Sequence, residues 1–483
     1  MYEEYLDIID QKADKLFKLS DNIWECAELA FTEYKSASYL IQALEEEGFF
    51  VEKNLADIDT AFSGKYGSGK PVIGILGEFD ALSGLSQEAD VAEKKAVVEG
   101  GCGHGCGHNL LGSGSLAAAI AVKNYLEKTG KSGTVIYYGC PGEEGGSGKA
   151  FMARRGIFSK LDLAITWHPA EYNRVNEDST LANIQVLYRF YGISAHAAGC
   201  PELGRSALDA VELMNVGANF LREHMVQEAR IHYAILNTGG TSPNVVQNYA
   251  EVLYLIRAPK SSQVQELFKR VNKIAEGMAM ATETRMEYEI YKLCSNYISN
   301  KTIERQLYAG MQDVKLPEYS DEELAYARKF TASANMQERT ILRKLSSRII
   351  SQEKVDYVVE HINDDMYNFN IPYERDHIVS FGLGSTDVGD VSFMCPTSQV
   401  DICTWAPCSG GHSWQIVAQG KSSIAHKGML YAGKVMAHAA ISMIENPELI
   451  EEAKKEFDNR MKEEKYVPIP EGVNPRPMGK VNK

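Results

Sequence analysis

The stretch PVIGILGEFD, residues 71–80, combines an unbroken apolar run with two carboxylates. Its first six residues predict a strand, because a short apolar run without alternation is typical of a strand buried on both faces. Glu78 and Asp80 follow at the carboxyl end of that run. In open α/β sheets, functional sites lie outside the carboxyl ends of the strands. The stretch therefore predicts a buried strand that leads into a site with acidic side chains.

Two later apolar runs repeat this arrangement. Residues 134–140 and 161–167 each predict a buried strand, and polar groups follow both: the turn PGEEGG follows the first, and His168 follows the second. Residues 113–128 lie between the first two strands and predict a helix. The alternation of strand and helix predicts an α/β fold with a mainly parallel sheet flanked by helices.

The pattern changes near residue 184 and changes back near residue 296. The elements predicted between these points are strands at 184–193, 252–258 and 285–291 and helices at 206–223 and 262–283. We therefore expect residues 1–183 and 296–483 to form one domain, and residues 184–295 to form a smaller inserted α+β domain. Three further segments of the larger domain are predicted: two amphipathic helices within 4–48, a charged helical insertion at 312–365 and an extended strap from residue 467.

The composition excludes several classes of protein. The chain has 483 residues, 44% of them hydrophobic, and a net charge of -15. This charge argues against binding to nucleic acid or to an anionic membrane surface, because both require a basic face. The longest stretch of small apolar residues, 116–122, is too short to span a bilayer, and the acidic start MYEEYLDIID does not predict a signal peptide. Nine scattered cysteines indicate reduced thiols, so we expect a cytoplasmic protein.

Residues 101–108, GCGHGCGH, repeat a Cys-Gly-His unit. Such a segment is compatible with a glycine-rich turn, a redox site or half of a metal site. The redox interpretation is the weakest, because three residues separate Cys102 from Cys106, whereas two separate the cysteines of the redox motif. The residues alone leave open which copy would bind a metal ion.

Metal binding is favoured by the wider set of side chains that follow the predicted strands. Cysteine, histidine and carboxylate are the ligands preferred by zinc and related divalent ions. Taken one at a time, each candidate is a weak signal: the Cys-x-His unit is more often a packed thiol beside a polar histidine, and paired glutamates are more often part of a solvated turn. The candidates are Glu78, Asp80, Cys102, His104, Cys106, His108, Glu143, Glu144, His168 and His412.

The adjacent carboxylates Glu143 and Glu144 indicate a reaction type. Neighbouring side chains in a turn point in different directions, so one carboxylate can bind a metal ion while the other faces a water molecule. A divalent metal lowers the pKa of bound water toward neutrality, and the free carboxylate can then take its proton. This arrangement predicts hydrolysis of an amide or peptide bond.

The chain resembles the co-catalytic metallopeptidase family of carboxypeptidase G, aminoacylase and the indole-acetyl-amino-acid hydrolases, and within it the branch that uses aminobenzoyl-glutamate. The resemblance extends over nearly the whole chain. Its motifs are AELAFTE (27–33), GEFDAL (77–82), HGCGH (104–108), PGEEGG (141–146), WHP (167–169), YGISAHA (191–197), SPNVV (242–246), STDVGDVS (385–392) and GHSW (411–414). The resemblance implies a zinc-exopeptidase-like catalytic domain with an inserted lid and dimerisation domain.

The resemblance also implies a site. The family pattern His-x-Cys-Gly-His matches residues 104–108, so the second copy of the repeat is the implied metal site. The implied ligands of two divalent ions, zinc or manganese, are Cys106, His108, Glu144, His168 and His412, with Cys106 as the bridge. Glu143 is the implied general base. The residues expected behind these ligands are Glu78, Asp80 and His104, while Cys102 has no counterpart in the family pattern.

The inserted domain contributes three further candidates. His196 resembles a family histidine that reaches the scissile carbonyl across a dimer interface, where a donor stabilises developing negative charge. Asn244 matches a family asparagine near the substrate. Arg257 is a candidate for the substrate's free carboxylate, since arginine pairs with carboxylates in a bidentate manner; a surface ion pair explains it equally well. We expect a homodimer through the lid domain, or a hetero-oligomer with a related subunit.

Two positions depart from the family pattern. Asn109 stands where the family often has aspartate, so the charge behind the ligands differs. Ser83 stands where the family often has proline, so the turn after Leu82 is expected to be looser. The loop at 385–390 is expected to line the site, with no role assigned.

Three functions remain under consideration. The first is hydrolysis of N-acyl amino acids, with aromatic acyl-glutamates such as p-aminobenzoyl-glutamate as the expected small-molecule substrate. The second is a dipeptidase or a hydrolase of other N-acyl amino acids, which the motifs do not separate from the first because specificity depends on the shape of the pocket. The third is a non-catalytic metal-binding subunit. The presence of Glu143 and of all five implied ligands argues against it.

Overall fold

The computed structural model describes residues 2–334, 351–374, 381–382 and 384–478. The strands in these residues form one large sheet, one sheet of four strands and one two-stranded pair. They are β1 (Phe50–Lys53), β2 (Phe62–Ser68), β3 (Val72–Glu78), β4 (Gly133–Cys140), β5 (Leu163–Ala170), β6 (Tyr172–Val175), β7 (Ser179–Thr180), β8 (Ala182–Tyr191), β9 (Arg230–Asn237), β10 (Tyr249–Ala258), β11 (Arg285–Cys294), β12 (Tyr367–Asn370), β13 (Phe381–Gly382) and β14 (Thr397–Cys403).

The strand predicted at residues 71–76 is β3, which lies within the large sheet. The order of the eight strands is β1-β2-β4-β3-β5-β14-β6-β12. Strands β4, β3, β5 and β14 are parallel to one another, whereas antiparallel pairs flank them on both sides. The sheet is therefore mixed, and the predicted parallel arrangement forms its central part. The carboxyl ends of the four parallel strands meet at one edge, which brings together the segments that follow them.

Helices cover this sheet. The α-helices of the described residues are α1 (Glu3–Gln11), α2 (Ala13–Cys26), α3 (Tyr34–Glu46), α4 (His108–Thr129), α5 (Gly148–Arg154), α6 (Ala207–Leu221), α7 (Ser261–Ala281), α8 (Lys301–Asp313), α9 (Asp321–Ser333), α10 (Gln352–His361), α11 (Val388–Ser392), α12 (Trp414–Gln419), α13 (Ser423–Glu445) and α14 (Pro447–Arg460).

Helix α4 lies between the sheet and other helices and is buried on nearly all sides. Helix α13 packs along it closely: a Cβ atom added at Gly433 would lie 2.9 Å from the Cβ atom of Ala117. Gly114 faces the sheet, where an added Cβ would lie 2.7 Å from the ring of Trp167. The helix begins at His108, five residues before the predicted start at 113, because this packing stabilises a Gly/Ser-rich turn of low helix propensity.

Residues 182–294 contain the four-stranded antiparallel sheet, in the order β11-β8-β10-β9. Helices α6 and α7 pack on one face of it. Alternate residues of β10 are buried beneath these helices, and the others, including Arg257, face the opposite side. We keep the name lid domain for the predicted residues 184–295. The sequence pattern missed strand β9, which is at the edge of this sheet.

The termini and the insertion differ from expectation in detail. Residues 4–48 hold three helices, because the chain breaks at Lys12 and again at Ala27, whose φ of 42° ends α2. Of the predicted insertion at 312–365, residues 335–350 lie outside the described residues, and the remainder includes α9 and α10. The predicted strap has neither helix nor strand from 467 to 478, and 479–483 lie outside the described part. None of the described helices is long and apolar enough to cross a membrane.

Candidate metal centre

The candidate ligands are brought together by the ends of the parallel strands. Asp80 follows β3 by two residues, and the turn with Glu143 and Glu144 follows β4. His168 lies near the end of β5, and His412 lies in the loop after β14. These groups meet at one edge of the sheet although up to 332 residues separate them along the chain, from Asp80 to His412. The sheet therefore accounts for the cluster that the sequence pattern predicted.

Cys106 belongs to two groups of three side chains whose ligand atoms lie within 4.8 Å of one another. The first group is Cys106, His108 and His168, and the second is Cys106, Glu144 and His412. Its Sγ atom lies 3.4 Å from Nε2 of His168, and Nε2 of His412 lies 3.5 Å from Oε2 of Glu144. Thiolate, imidazole and carboxylate suit zinc, and the shared thiol suits a bridge between two ions.

Neighbouring groups fix the orientation of the buried His108 and of the half-buried His168. Oδ1 of Asp80 lies 3.0 Å from Nδ1 of His108, while Nε2 of that ring faces Oε2 of Glu78 at 3.3 Å. This Nε2 atom and Oε1 of Glu144 are buried without a hydrogen-bond partner among the described residues. Nδ1 of His168 lies 2.7 Å from the carbonyl oxygen of Pro169, so its Nε2 atom faces Cys106. Buried polar atoms without partners are rare, and here they are the atoms that a metal ion would engage.

Two features of the site indicate strain and charge crowding. His412 has a φ of 54°, a left-handed conformation that costs on the order of 1 kcal/mol and is concentrated at functional sites. The pKa of Glu143 is raised well above its ordinary value by burial, and further by the charges of Glu78 and Glu144. A carboxyl group with a raised pKa holds a proton more readily than usual, which is compatible with the predicted role of Glu143 in proton transfer. Glu143 also forms a compact group with Glu78 and His108.

Sequence reasoning missed a buried cation behind this group. Nζ of Lys149 lies 2.6 Å from Oε1 of Glu78 and 2.6 Å from Oδ1 of Asp387. Burial opposes the charge of Lys149, but the two carboxylates outweigh it and raise its pKa. In turn the ammonium group, together with His108, lowers the pKa of Glu78 against the effect of burial. Lys149 lies in the first turn of helix α5, directly after a Gly/Ser-rich segment, and gives no signal of this role in the sequence.

Sequence reasoning also gave no role to Glu33, although the motif that contains it was noted. Its Oε1 atom accepts a hydrogen bond of 2.9 Å from the backbone N–H of Gly142, and Oε2 accepts one of 3.0 Å from the hydroxyl of Thr60. Burial and the charge of Asp80 raise the pKa of Glu33 to about 8. Gly142 has a φ of 70°, and a Cβ there would lie 2.8 Å from the ring of Phe31. Glu33 and Phe31 thus shape the turn that carries Glu143.

The lid candidates lie in two adjacent loops. The backbone N–H of Ala197 donates to the carbonyl of Asn244 at 3.0 Å, which joins the loop of His196 to that of Asn244. Nδ1 of His196 accepts hydrogen bonds from the N–H groups of Ala198 and Gly199, at 3.2 and 3.0 Å. A neutral imidazole that accepts at Nδ1 carries its proton on Nε2. His196 is exposed and so presents an Nε2–H donor to whatever approaches the lid.

Arg257 makes no ion pair with any carboxylate of the described residues, which favours the carboxylate-binding prediction over a surface ion pair. Its Nη1 atom donates to the hydroxyl of Ser385 at 3.3 Å, across to the loop that was expected to line the site. Its Nε atom is buried and has no hydrogen-bond partner among the described residues. Arg257 is therefore a cation with unused donor capacity between the lid strands and the larger domain.

The remaining candidates lie outside the ligand groups. Nε2 of His104 lies 3.0 Å from the carbonyl oxygen of Ile23, and burial lowers the pKa of this histidine to about 4. The side-chain amide of Asn109 donates to Ser20 Oγ and to the Gly420 carbonyl, both at 3.0 Å. Ser83 is exposed in a turn. An ionised aspartate at position 109 could not donate to that carbonyl, which gives the departure from the family pattern a physical reason.

Two potential ligand groups share the thiol of Cys106, and the turn with the paired glutamates lies at the same carboxyl edge of the α/β sheet. This combination is typical of a metal-dependent hydrolase of carbon–nitrogen bonds. Residues 74–472 match the model of the peptidase family M20/M25/M40. Because the match covers most of the chain, the chain belongs to this family.

Individual relatives agree with this assignment. The chain is 47% identical over 475 residues to one of the subunits of p-aminobenzoyl-glutamate hydrolase from Escherichia coli (strain K12), with 98% of each chain covered. It is 28% identical over 473 residues to Xaa-Arg dipeptidase of Mus musculus, covering 95% of this chain and 92% of the relative. The crystal structure of an aminobenzoyl-glutamate utilization protein from Klebsiella pneumoniae shares the fold, with a TM-score of 0.59, 15% identity and coverage of 90% of this chain and 97% of that chain.

Proposed function

We propose that this chain hydrolyses the amide bond of N-acyl amino acids, with aromatic acyl-glutamates such as p-aminobenzoyl-glutamate as its substrates. The observation that carries the proposal is the position of Cys106, which belongs to two potential ligand groups. His108, a member of the first of these groups, also lies in a compact group with the half-buried carboxyl group of Glu143. The substrate class is supported by the name of the Escherichia coli relative, which this chain matches along almost its whole length.

Two divalent ions, zinc or manganese, fit the side chains present. Cys106, His108 and His168 would hold one ion, and Cys106, Glu144 and His412 would hold the other. The orphaned buried atoms Nε2 of His108 and Oε1 of Glu144 support this assignment. When bound, such ions acidify water and polarise the carbonyl group of the substrate.

The protein's own groups then move the proton and stabilise charge. Glu143 takes a proton from the attacking water, whose oxygen forms the new bond to the amide carbon. Glu143 then gives the proton to the amide nitrogen as the carbon–nitrogen bond breaks, which releases a carboxylic acid and an amino acid. Nε2–H of His196 donates to the carbonyl oxygen as it becomes negative. Asn244 and Arg257 hold the amino-acid part, with Arg257 on its free carboxylate.

His196 would reach the site from a second chain. Two parts of the lid domain support association: helix α6 exposes the apolar residues Leu213, Val216 and Phe220, and the edge strand β9 exposes Ile235 and Leu236. An unpaired edge strand beside exposed apolar side chains is typical of a surface that is covered in an assembly. We propose a dimer through this surface, formed by two copies or with a related chain. The Escherichia coli relative is named as one of several subunits, which allows the second arrangement. No two cysteines of the described residues form a disulfide, which supports the cytoplasm as its location.

A dipeptidase is the second candidate function, and the similarity to Xaa-Arg dipeptidase of Mus musculus favours it. The two candidates share the metal centre and differ in the group that the lid must bind.

The test is release of 4-aminobenzoate from 4-aminobenzoyl-glutamate by protein that has been stripped of metal and reloaded with zinc or manganese. We expect hydrolysis by the reloaded chain and a loss of about 10³-fold or more for Glu143→Gln, which keeps the shape of the side chain but removes the base. Metal content measured on the same samples is the control, because Glu143→Gln should still bind metal. Full activity in Glu143→Gln would show that another group is the base.

A further inference from the structure

Four arginines of the lid domain have no carboxylate partner among the described residues: Arg222, Arg230, Arg257 and Arg270, the last of which donates to the main-chain carbonyl of His224. Arg222 and Arg230 donate to main-chain carbonyl groups, and Arg222 also to the amide oxygen of Asn219. Arg257 donates to the hydroxyl of Ser385. These partners are uncharged, so in a chain of net charge -15 the positive charge of four guanidinium groups is left without a counter-charge in the part of the chain that the structure describes. Arg222, Arg230 and Arg257 are the ones that act on a common histidine, His232.

The strand register places these cations together. Arg230 on β9 is paired with Arg257 on β10, and His232 is paired with Leu255. In antiparallel strands, paired residues and residues two apart project from the same face. Arg230, His232 and Arg257 therefore share the sheet face opposite helices α6 and α7.

Arg222 reaches the same place from the end of α6, where its Nη2 atom donates to the carbonyl of Ile231 at 2.8 Å. The pKa of His232 is lowered by partial burial and then by the charges of Arg257, Arg222 and Arg230. The charges of all three arginines thus act on one histidine. We call Arg222, Arg230, His232 and Arg257 the cationic face.

A series of contacts through the larger domain connects Arg257 of this cationic face with the metal centre. Arg257 contacts Ser385 at 3.3 Å, two residues before Asp387. Asp387 forms an ion pair with Lys149, and Lys149 forms a second ion pair with Glu78. The Oε2 atom of Glu78 in turn lies 3.3 Å from Nε2 of His108. The buried Nε donor of Arg257 has no partner among the described residues, which indicates a ligand group that is absent from the free chain.

We propose that Arg230 and Arg222, with His232 between them, form a second carboxylate subsite beside Arg257, which selects substrates with an acidic leaving group. The inference rests on the proposed function, in which Arg257 takes the free α-carboxylate. The second subsite takes the side-chain carboxylate of glutamate or aspartate, whose two oxygens match the guanidinium fork. A C-terminal arginine would place its cation against this face and be repelled.

The experiment uses the full chain, loaded with zinc or manganese, and four substrates that share the 4-aminobenzoyl group and end in glutamate, glutamine, glycine or arginine. We expect kcat/KM of the wild type to be about tenfold or more higher for glutamate than for glutamine, because a charged hydrogen bond replaces a neutral one. Arg230→Gln should lower kcat/KM for the glutamate substrate by about tenfold and for the glycine substrate by less than about twofold. Arg285→Gln is the matched control, since Arg285 lies on lid strand β11 and is paired with Glu287.

Binding of L-glutamate and L-glutamine to the same metal-loaded proteins, measured by calorimetry, gives a second readout that requires no turnover. The proposed subsite is contradicted if Arg230→Gln lowers kcat/KM equally for all four substrates, or if the wild type binds glutamate no more tightly than glutamine. Failure of the proposed function has a different outcome: none of the four substrates is hydrolysed, while the wild type still prefers glutamate in binding and Arg230→Gln loses that preference.

Discussion

Among the single residues of the metal centre, Asp80 divides its two carboxylate oxygens between two segments. One oxygen faces Nδ1 of His108 at 3.0 Å, and the other accepts the backbone N–H of Glu144 at 2.8 Å. Burial opposes the charge of Asp80, but these hydrogen bonds and the neighbouring His108 lower its pKa. One buried carboxylate thus orients a histidine and holds in place the turn that bears the paired glutamates.

Glu33 supports that turn from the other side, which leads to a prediction about turnover. Because its pKa is raised to about 8, its carboxyl group is protonated at neutral pH. Glu33→Gln has the same shape, still accepts the N–H of Gly142 and donates to Thr60, so we expect near wild-type kcat. Glu33→Leu removes the acceptor for Gly142 and should lower kcat by about tenfold or more with little change in KM, because Glu143 is displaced while the lid contacts remain.

Steady-state kinetics on the two metal-loaded variants measures this difference. Thr60→Val is a milder control, since it removes only the partner of Oε2. Equal losses in Glu33→Gln and Glu33→Leu would show that Glu33 supports folding alone and does not position Glu143, the proposed base.

Among the secondary-structure elements, helix α4 packs closely against the sheet because residue 114 is glycine. This close packing predicts whether a substitution at that position raises or lowers the free energy of unfolding. Gly114→Ala improves helix propensity but drives a methyl group to within 2.7 Å of the Trp167 ring. We expect it to lower the free energy of unfolding by about 1–3 kcal/mol, the usual cost of overpacking. Gly277→Ala in α7 is the matched control, because nothing lies within 4 Å of its added Cβ, and it should stabilise by about 0.5–1 kcal/mol. Chemical denaturation of both variants measures whether the free energy of unfolding falls or rises. An increase in both variants would contradict the close packing at Gly114.

Asp390 on α11 joins three elements and predicts a dependence of stability on pH. It accepts hydrogen bonds from the N–H and hydroxyl of Ser295, where the chain leaves the lid domain, and from the hydroxyl of Tyr466 in the C-terminal tail. Burial, then the charge of Asp387, raises its pKa to about 7 against the effect of these hydrogen bonds. A raised carboxyl pKa favours the folded state below the unfolded pKa, and this contribution is lost as pH rises through the folded value.

We therefore expect the wild type to lose stability relative to Asp390→Asn between pH 5 and pH 7, with a slope of up to about 1.4 kcal/mol per pH unit. Asparagine can replace the protonated acid, because its amide can donate to the two hydroxyls and its oxygen can accept the N–H of Ser295. Thermal unfolding of both proteins across this pH range makes the measurement. If the stability of the wild type and that of Asp390→Asn depend on pH in the same way, the carboxyl group of Asp390 is already ionised in the folded chain across this range.

For the complete molecule, the proposed site needs two chains, and mixing two inactive variants tests this. In a dimer of His196→Ala and Glu143→Gln, one site has an intact Glu143 from one chain and an intact His196 from the other. With free exchange half of the dimers are mixed, so we expect about a quarter of wild-type activity to return. Activity is measured after the two proteins are incubated together, with each protein alone as the control. No recovery despite proven exchange of subunits would show that His196 acts within its own chain.

The features with local signals could be predicted from the order of the amino acids. The apolar runs predicted β3, β4 and β5 correctly, because a strand buried on both faces requires such a run. Strand β14, TSQVDIC, was missed although every residue in it is buried, since its polar side chains are satisfied by distant partners, as Ser398 is by Asn300. The Cys/His repeat and the paired glutamates likewise predicted a metal centre from residue types alone.

The contacts between distant parts of the chain depended instead on the folded arrangement. Glu33 and Gly142 are 109 positions apart, and Lys149 and Asp387 are 238 apart, so no sequence spacing relates them. The cationic face depends on the register of β9 against β10, which pairs Arg230 with Arg257. A buried charge is stable only with a partner, and the partner is chosen by packing in three dimensions. The sequence therefore specified the chemistry of the site, and the fold specified its geometry, its supporting charges and the face presented to the substrate.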